Sequence, residues 1–378
     1  MDKFTKARDL LQEEGIDGWL ISCNEDGDIH SPYFLGVKSH ARHFIYLDKD
    51  GNHEILAAQM EAPMIQKSLR NQDILAKVSP YMKHKDMITW LKRLVSKPKV
   101  ALNFGPDSLR KATGFADYIK AGEVESLRKI SPRTNFVSAL ELIRAMREVK
   151  SMGEINNLRE NIKITIEVLE DVPNWVKVGM SEKEVQAKIH YEYLKLGEPS
   201  FDTIVAAGEN SADPHHNSSV KKITSGALLI DTGIRKNQMS SDITWTYWIG
   251  GEPPEDFTKA YKVLFDSKKI ANAYMKVGIE TRTPGIKCRE YLAAEGYNHE
   301  ELFIHGLGHA LGYEVHDIGN RMSWKAPKGK KFLENAIYTN EPGLYWQGVY
   351  GLRLEDDILV KKDGCEQLSH NPKDPIAI

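Results

Sequence analysis

Residues 227–250 of this 378-residue chain, ALLIDTGIRKNQMSSDITWTYWIG, predict a β-hairpin with two aspartates on its polar face. A buried strand runs into a polar turn and then into a segment rich in Thr, Ile and aromatic residues. A turn centred near residues 235–238 would set Asp231 opposite Asp242. Strand alternation places Asp242 and Trp245 on opposite faces. The apolar face can therefore pack into the protein core, while the acidic face is available to line a functional site.

A second hairpin of the same kind is predicted for residues 336–360, AIYTNEPGLYWQGVYGLRLEDDILV. A turn near Gly348 would set Glu341 opposite Glu355, and alternation puts Arg353 on the same face as Glu355. The chain is therefore expected to bring facing carboxylates together twice.

Four carboxylates gathered in a partly buried site either repel one another or take up protons, because like charges oppose each other's ionisation. Two divalent cations would balance their four negative charges, and a neutral imidazole could complete the ligand shells. A ligand set that is mostly carboxylate with one histidine suits Mn²⁺, Fe²⁺, Co²⁺ or Zn²⁺ and argues against a closed structural zinc site. Taken singly, each acidic residue is better explained as a solvated strand end, but that explanation does not account for both hairpins and the histidine-rich segment 305–316 together.

Residues 305–316, HGLGHALGYEVH, contain His305, His309 and His316 together with three glycines. Each glycine weakens a helix by roughly 1 kcal/mol relative to alanine, so an ordinary helix is not expected here. Glycines in this number allow a sharp bend or a close backbone approach. We expect an irregular segment or strand whose imidazoles line a cavity, with unrelated core or surface histidines as the alternative.

Composition restricts the partners of the chain. The sequence has 51 Lys and Arg against 53 Asp and Glu, so no net basic charge favours nucleic acid or an anionic membrane. No apolar run approaches the length of a membrane span, and the charged N-terminus does not resemble a secretion signal. Three widely spaced cysteines predict neither a disulfide framework nor a zinc cluster, which favours the reducing cytoplasm.

The length suits two domains. Helical and extended patterns alternate over the first 130 residues or so, including the strand GWLIS and a hairpin with its turn at Asp50 and Gly51. A strongly helical pattern from Val137 onward marks entry to the second domain. We expect an α/β (α+β) chain with a boundary between residues 132 and 133.

At the quoted motifs the chain resembles the pita-bread metallopeptidases, a superfamily that includes methionine aminopeptidase, aminopeptidase P, prolidase and creatinase. Five positions match the metal ligands of the superfamily in order and local context: Asp231 in IDTG, Asp242 in SDITWT, His309 in HGLGHALG, Glu341 in NEPGLY and Glu355 in GLRLED. The resemblance implies a creatinase-like N-terminal domain over residues 1–132. It implies a catalytic domain over residues 133–378, with a curved antiparallel sheet flanked by helices.

The resemblance also implies roles for these residues. Asp231 would chelate one metal, Asp242 and Glu355 would bridge the pair, and His309 with Glu341 would hold the second. Glu341 would also shuttle the proton. Three further histidines, His215, His305 and His316, would line the substrate site, whereas His216 is expected to be a neighbour. Two divalent ions per subunit are expected, with Mn²⁺ or Co²⁺ favoured and Zn²⁺ or Fe²⁺ as alternatives, in a homodimer.

A histidine at the position of His305 favours the proline-specific branch of the superfamily. The expected reaction is hydrolysis of the Xaa-Pro bond, in dipeptides first and in longer peptides as the alternative. An ectoine hydrolase-like C–N hydrolase and, less well supported, a non-catalytic binding module are the remaining alternatives. Trp245 replaces the usual Arg of the superfamily, and since alternation places it on the apolar face, we expect altered packing rather than lost chemistry.

Two arginines near the motifs, Arg321 and Arg353, are candidate anchors for the free carboxylate of a dipeptide, because a guanidinium binds a carboxylate through two parallel N–H groups. The expected partner is a small Xaa-Pro peptide, with no nucleic acid and no membrane.

Overall fold

The computed structural model describes residues 2–25, 27–107 and 114–378. The chain divides into two compact units, Met1–Arg147 and Glu148–Ile378. This boundary lies later in the chain than the one expected after residue 132. The helix near residues 140–147, attributed above to the second domain, belongs to the first unit because it packs against the N-terminal helix, and the strand before it joins the N-terminal sheet.

The first unit is a six-stranded mixed sheet with helices. Its helices are α1 Lys3–Glu13, α2 His30–Leu35, α3 Ala62–Asn71, α4 His84–Val95, α5 Ala121–Ile130 and α6 Leu140–Arg147. Its strands are β1 Gly18–Cys23, β2 His43–Asp48, β3 Glu54–Ala58, β4 Lys77–Tyr81, β5 Lys99–Leu102 and β6 Asn135–Ser138, in the order β4-β3-β2-β1-β5-β6. The predicted hairpin is β2–β3, and Gly51 in its connection adopts a left-handed φ of 85°. The α/β interpretation of this part of the chain is confirmed.

The second unit combines long helices with short antiparallel sheets. Its helices are α7 Met152–Trp175, α8 Glu182–Leu194, α9 Glu255–Asn272, α10 Thr283–Ala294 and α11 His299–Leu302. Its strands are β7 Glu198–Pro199, β8 Ile204–Ala207, β9 Gly226–Thr232, β10 Ile234–Lys236, β11 Met239–Ser240, β12 Ile243–Ile249, β13 Ile337–Asn340, β14 Gly343–Trp346, β15 Tyr350–Arg353, β16 Asp356–Val360 and β17 Cys365–Gln367. Short 3₁₀ turns occur at Gly114–Ala116 in the first unit and at Gly208–Ala212 in the second.

The first predicted hairpin forms, but its register differs by two residues from the expected one. Asp231 in β9 pairs with Thr244 in β12, not with Asp242. The reason is that the tight turn lies at Asn237 and Gln238, both with positive φ, one residue beyond the assumed centre of the loop. A shift of two keeps the alternation of side chains, so Asp231 and Asp242 still lie on the same face.

The second hairpin has the expected register. Strands β14 and β15 pair Gly343 with Arg353, and the connection is centred on Gly348, which has a φ of 76°. The same register continues into β13 and β16 and sets Glu341 opposite Glu355, as predicted. The two hairpins lie side by side, since the Glu355 amide donates to the Thr244 carbonyl at 3.1 Å.

Each hairpin buries its other face against a different pair of helices. Apolar residues of β9 and β12 pack mainly with α7 and α8, together with Ile337 of β13 and Leu359 of β16, whereas the other apolar residues of β13 to β16 pack with α9 and α10. Trp245 lies in the first of these cores, 2% exposed, and its indole N–H donates to the His370 carbonyl at 3.0 Å. The prediction that Trp245 faces away from the acidic residues is confirmed.

None of the helices that the structure describes combines the length and the apolar character needed to cross a bilayer.

Candidate active site

The histidine segment is irregular, as the glycines predicted. It carries no helix and is tied to its neighbours by isolated bridges, Gly308 to Met322 and Ala310 to Tyr338. A Cβ atom on Gly308 would lie only 2.1 Å from the Thr339 carbonyl oxygen, so only glycine permits this close approach. The backbone of His309 thereby comes next to β13, the strand that leads to Glu341.

His309 is fixed from both sides of its peptide unit. Its amide donates to Thr339 Oγ1 at 3.1 Å, its carbonyl accepts from the Thr339 amide at 2.9 Å, and the Glu341 amide donates to the Leu307 carbonyl at 2.8 Å. The imidazole Nε2 then lies 3.4 Å from Asp242 Oδ2 and 3.6 Å from Glu341 Oε1. Two hairpins and the histidine segment thus converge on one point.

Three of the predicted ligands form a compact cluster. Ligand atoms of Asp242, His309 and Glu355 all lie within 4.8 Å of one another. Glu341 borders this cluster through His309, while Asp231 is held by Arg353, whose Nη2 donates to Asp231 Oδ2 at 2.6 Å. The other oxygen of Asp231 is buried and has no hydrogen-bond partner among the residues described.

The electrostatics of the cluster match a cation site. Desolvation, with the charges of Glu355 and Asp231 added, raises the pKa of Asp242 well above its usual value. Desolvation also raises the pKa of Glu355, with Glu341 contributing, and raises the pKa of Glu341 to about 8. Burial and mutual repulsion therefore favour the protonated forms of these carboxyls, and a bound cation would take the place of the protons.

The imidazole of His309 has the complementary property. Desolvation and the neighbouring His316, whose ring centroid lies 4.2 Å away, lower the pKa of His309 to about 3. A neutral imidazole among carboxyls that favour protons is a donor set for a divalent ion of the first transition row. The residues therefore fit the metal that the sequence predicted, and the orphaned Asp231 oxygen adds a further free donor atom.

The histidines predicted to line a substrate site occupy different surroundings. His305 hydrogen-bonds through Nε2 to the Tyr345 hydroxyl at 2.9 Å, and its Nδ1 lies 3.9 Å from Glu341 Oε2. His215 and His316 have exposed side chains. His216, by contrast, is bound to a buried carboxylate through its Nε2 and does not face the cluster with a free ring.

The two candidate arginines also differ. Arg321 is exposed beside the bridge that joins Met322 to Gly308. Arg353 is 3% exposed, which argues against its predicted function as a carboxylate anchor. Its guanidinium donates to Asp231, to the Tyr345 hydroxyl at 3.0 Å, to the Pro214 carbonyl at 3.2 Å and to Thr244 Oγ1 at 3.1 Å. Four N–H groups of the Arg353 guanidinium are thus engaged within the protein. No parallel pair of N–H groups remains to bind the carboxylate of a substrate.

Sequence reasoning missed several residues that support the ligands. Thr244 donates to Glu355 Oε2 at 2.7 Å, Thr339 donates to Glu341 Oε1 at 3.4 Å, and Asp357 Oδ2 accepts the Asp242 amide at 3.3 Å. Each supporting residue lies two positions from a predicted ligand in sequence, and so on the same strand face. That spacing is the signal by which they could have been found.

Arg353→Met is expected to destabilise the metal-free protein by about 3–5 kcal/mol, because removing one partner leaves Asp231 as an uncompensated buried charge. Urea unfolding in the presence of a chelator measures the loss. Arg159→Met is the matched control, since the Arg159–Glu366 pair, at 2.7 Å, is partly exposed and should contribute less than about 1 kcal/mol. Equal losses in the two variants would contradict the role given to Arg353.

Comparison with known proteins identifies the family. The sequence model of metallopeptidase family M24 matches residues 156–362 of this chain. The sequence model of the creatinase/prolidase N-terminal domain matches residues 3–149. The chain belongs to metallopeptidase family M24. It has the N-terminal domain and the catalytic domain of that family, as the resemblance implied.

The chain is similar to solved structures of other peptidases. An X-Pro aminopeptidase from Thermotoga maritima is 28% identical, with a TM-score of 0.85 and complete coverage of both chains. A prolidase from Pyrococcus horikoshii is 27% identical, with a TM-score of 0.82 over 98% of each chain. In sequence, an Xaa-Pro dipeptidase from Pyrococcus horikoshii is 32% identical over 274 residues, which cover 70% of this chain and 75% of the relative. This chain is therefore an M24 metallopeptidase.

Proposed function

We propose that this metallopeptidase hydrolyses the Xaa-Pro bond of dipeptides and uses two divalent metal ions per subunit. The observation that carries the proposal is the convergence of Asp242, His309 and Glu355 within 4.8 Å, bordered by Glu341. The similar Xaa-Pro dipeptidase from Pyrococcus horikoshii supports the choice of substrate.

The same residues are proposed to hold the two metals, Mn²⁺ or Co²⁺ before Zn²⁺ or Fe²⁺. Asp242 and Glu355 would bridge the ions, His309 and Glu341 would complete one site, and Asp231 would complete the other. The free Oδ1 of Asp231 supports this assignment, since its Oδ2 is already engaged by Arg353. When bound, two such ions supply Lewis-acid polarisation of the scissile carbonyl and activation of a water nucleophile.

The residues of the chain would then move the proton and hold the substrate. Glu341 takes one proton from the attacking water and delivers it to the proline nitrogen as the C–N bond breaks, which is general acid–base catalysis. The products are the free amino acid and proline. His215 and His316 steady the oxyanion, and such donors each contribute about 2.7–4 kcal/mol in other enzymes. His305, bonded to Tyr345, lines the same site beside Glu341.

Ala-Pro is expected to be cleaved at least tenfold faster than Ala-Pro-Ala, because a site that binds the free carboxylate of proline loses that contact when the chain continues. Arg321 is the exposed arginine proposed for this contact. Values of kcat/KM for the two peptides, measured after loading with Mn²⁺ or Co²⁺, test the preference, with Met-Ala-Ala as the control for general aminopeptidase activity. The reverse order would favour the second candidate, an Xaa-Pro aminopeptidase, which the Thermotoga maritima structure supports.

A cytoplasmic location and a homodimer are also proposed. The location is supported by three cysteines that all remain free thiols, two of them buried. The homodimer is supported by the resemblance alone and is tested by light scattering of the metal-loaded protein.

A further inference from the structure

One buried carboxylate at the start of α8 receives five hydrogen bonds from the loop that carries His215. Glu182 is 0% exposed. Its Oε1 accepts from the Ala207 amide and from Asn210 Nδ2, both at 2.9 Å. Its Oε2 accepts from the Ser219 amide at 2.9 Å, from the Ser219 hydroxyl at 2.7 Å and from His216 Nε2 at 2.8 Å.

These partners span both ends of the loop, from Ala207 to Ser219. Desolvation opposes ionisation of Glu182, but the hydrogen bonds outweigh it and hold the pKa of this carboxyl below its usual value. The carboxylate also lies at the first position of a helix, where the helix dipole favours negative charge. Glu182 is therefore an ionised carboxylate that anchors the loop, and both of its oxygens accept hydrogen bonds from loop residues.

The far side of the loop faces the candidate active site. The Pro214 carbonyl accepts from Arg353 Nη1 at 3.2 Å, and the Gly351 amide of β15 donates to Ser211 Oγ at 2.8 Å. His215 lies between these contacts and the bond from His216 to Glu182. The two adjacent histidines thus have different surroundings, since the His216 ring is bound to Glu182 and His215 is exposed.

We infer that Glu182 is a positioning residue for His215, which it directs toward the metal cluster by fixing His216 and the two ends of the loop from 207 to 219. This inference rests on the role proposed above for His215. It also gives His216 a function, because loss of Glu182 or of His216 would free the part of the loop that Arg353 does not hold.

Glu182→Gln is the test, because the amide keeps the shape of the side chain but its NH₂ group cannot accept from Ser219 or His216. We expect kcat/KM for Ala-Pro to fall on the order of 10-fold to 100-fold, mainly in kcat, as expected for a misplaced group at an active site. Metal content should be unchanged. Glu184→Gln, an equal change of charge on the same turn at an exposed capping residue, is the matched control and should retain wild-type activity.

A double-mutant cycle separates positioning from a general structural effect. If Glu182 acts through His215, Glu182→Gln should cost less than about twofold in a His215→Ala background, because coupled residues are not additive. The same loss in both backgrounds would overturn the inference. His216→Gln provides a second route to the same cycle if Glu182→Gln folds poorly.

Hydrogen exchange supplies a readout that does not depend on turnover. Amides of Ala207 and Ser219, which donate to Glu182, should lose protection in Glu182→Gln but not in Glu184→Gln. Unchanged protection would refute the anchor even if the wild type were inactive. A metal-loaded wild type that cleaves neither Ala-Pro nor Ala-Pro-Ala would instead refute the proposed function.

Discussion

Glu341→Gln is expected to lower kcat for Ala-Pro by on the order of 10³-fold or more, since general acid–base catalysis alone contributes about 10²–10⁴-fold. Glu341 is placed for this role by two contacts, one to His309 Nε2 at 3.6 Å and one to His305 Nδ1 at 3.9 Å. Glutamine has a similar shape and can still offer one oxygen to a metal, but it cannot accept and return a proton. The chemical step should therefore be lost before the fold is.

Steady-state kinetics with Ala-Pro, together with metal analysis and circular dichroism of the same sample, measures this effect. Glu334→Gln, at an exposed position outside the cluster, is the control and should leave kcat unchanged. More than a tenth of wild-type activity in Glu341→Gln, at equal metal content, would exclude Glu341 as the proton shuttle.

Metal is expected to stabilise the protein near neutral pH and to stabilise it far less near pH 4.5. A ligand that binds only the folded state adds about 2.7 kcal/mol at a hundred times its Kd. For a unit of roughly 150–250 residues, each kcal/mol raises Tm by about 2–4 °C, so a shift of about 5–10 °C is expected.

The pH dependence follows from the direction of the pKa shifts. The pKa values of Asp242 and Glu355 are raised in the folded protein, and that of Glu341 is raised to about 8 from a usual value near 4.5. A carboxyl whose folded pKa is raised binds its proton more tightly when folded, so the metal-free protein loses stability as pH rises from about 4.5 to about 8. Metal removes this penalty at neutral pH. In acid, protons have already removed it and compete for the same ligands.

Differential scanning fluorimetry of chelated protein, with and without Mn²⁺ or Co²⁺ at both pH values, tests this expectation. Asp242→Ala should remove most of the metal-induced shift, because Asp242 is proposed to serve both ions. Asp363→Ala, on the connection between β16 and β17, is a matched control that should retain the full shift. Equal shifts in wild type and Asp242→Ala would mean that the stabilising ion binds elsewhere.

Local patterns predicted the strands of the site well because alternation and turn chemistry are short-range properties. The hairpin around Gly348 formed in the expected register, and the glycines of the histidine segment excluded a helix as expected. The register of the β9–β12 hairpin differed from the expected one because the sequence of its polar loop is compatible with two turn centres that lie one residue apart. Only the positive φ values of Asn237 and Gln238 distinguish them.

Long-range pairing was not predictable from local patterns. Arg353 shares a strand face with Glu355, which alternation predicted, but its ion pair with Asp231 joins residues 122 positions apart. The hydrogen bond of His216 to Glu182 spans 34 positions and depends on how α8 packs beside the loop. Adjacent histidines give no sign of which ring faces the site, because their directions are set by a partner on another element.

The attachment of the histidine segment to β13 bears on how freely this sequence can diverge. Backbone hydrogen bonds join residues 307–309 to Thr339 and Glu341, and the Thr339 hydroxyl adds a bond to the His309 amide. Neighbouring side chains can therefore be exchanged in evolution without moving His309, provided that residue 308 has no Cβ atom. Such a frame lets the reactive centre persist while most of the surrounding sequence drifts, consistent with solved structures that superimpose at only 27–28% identity.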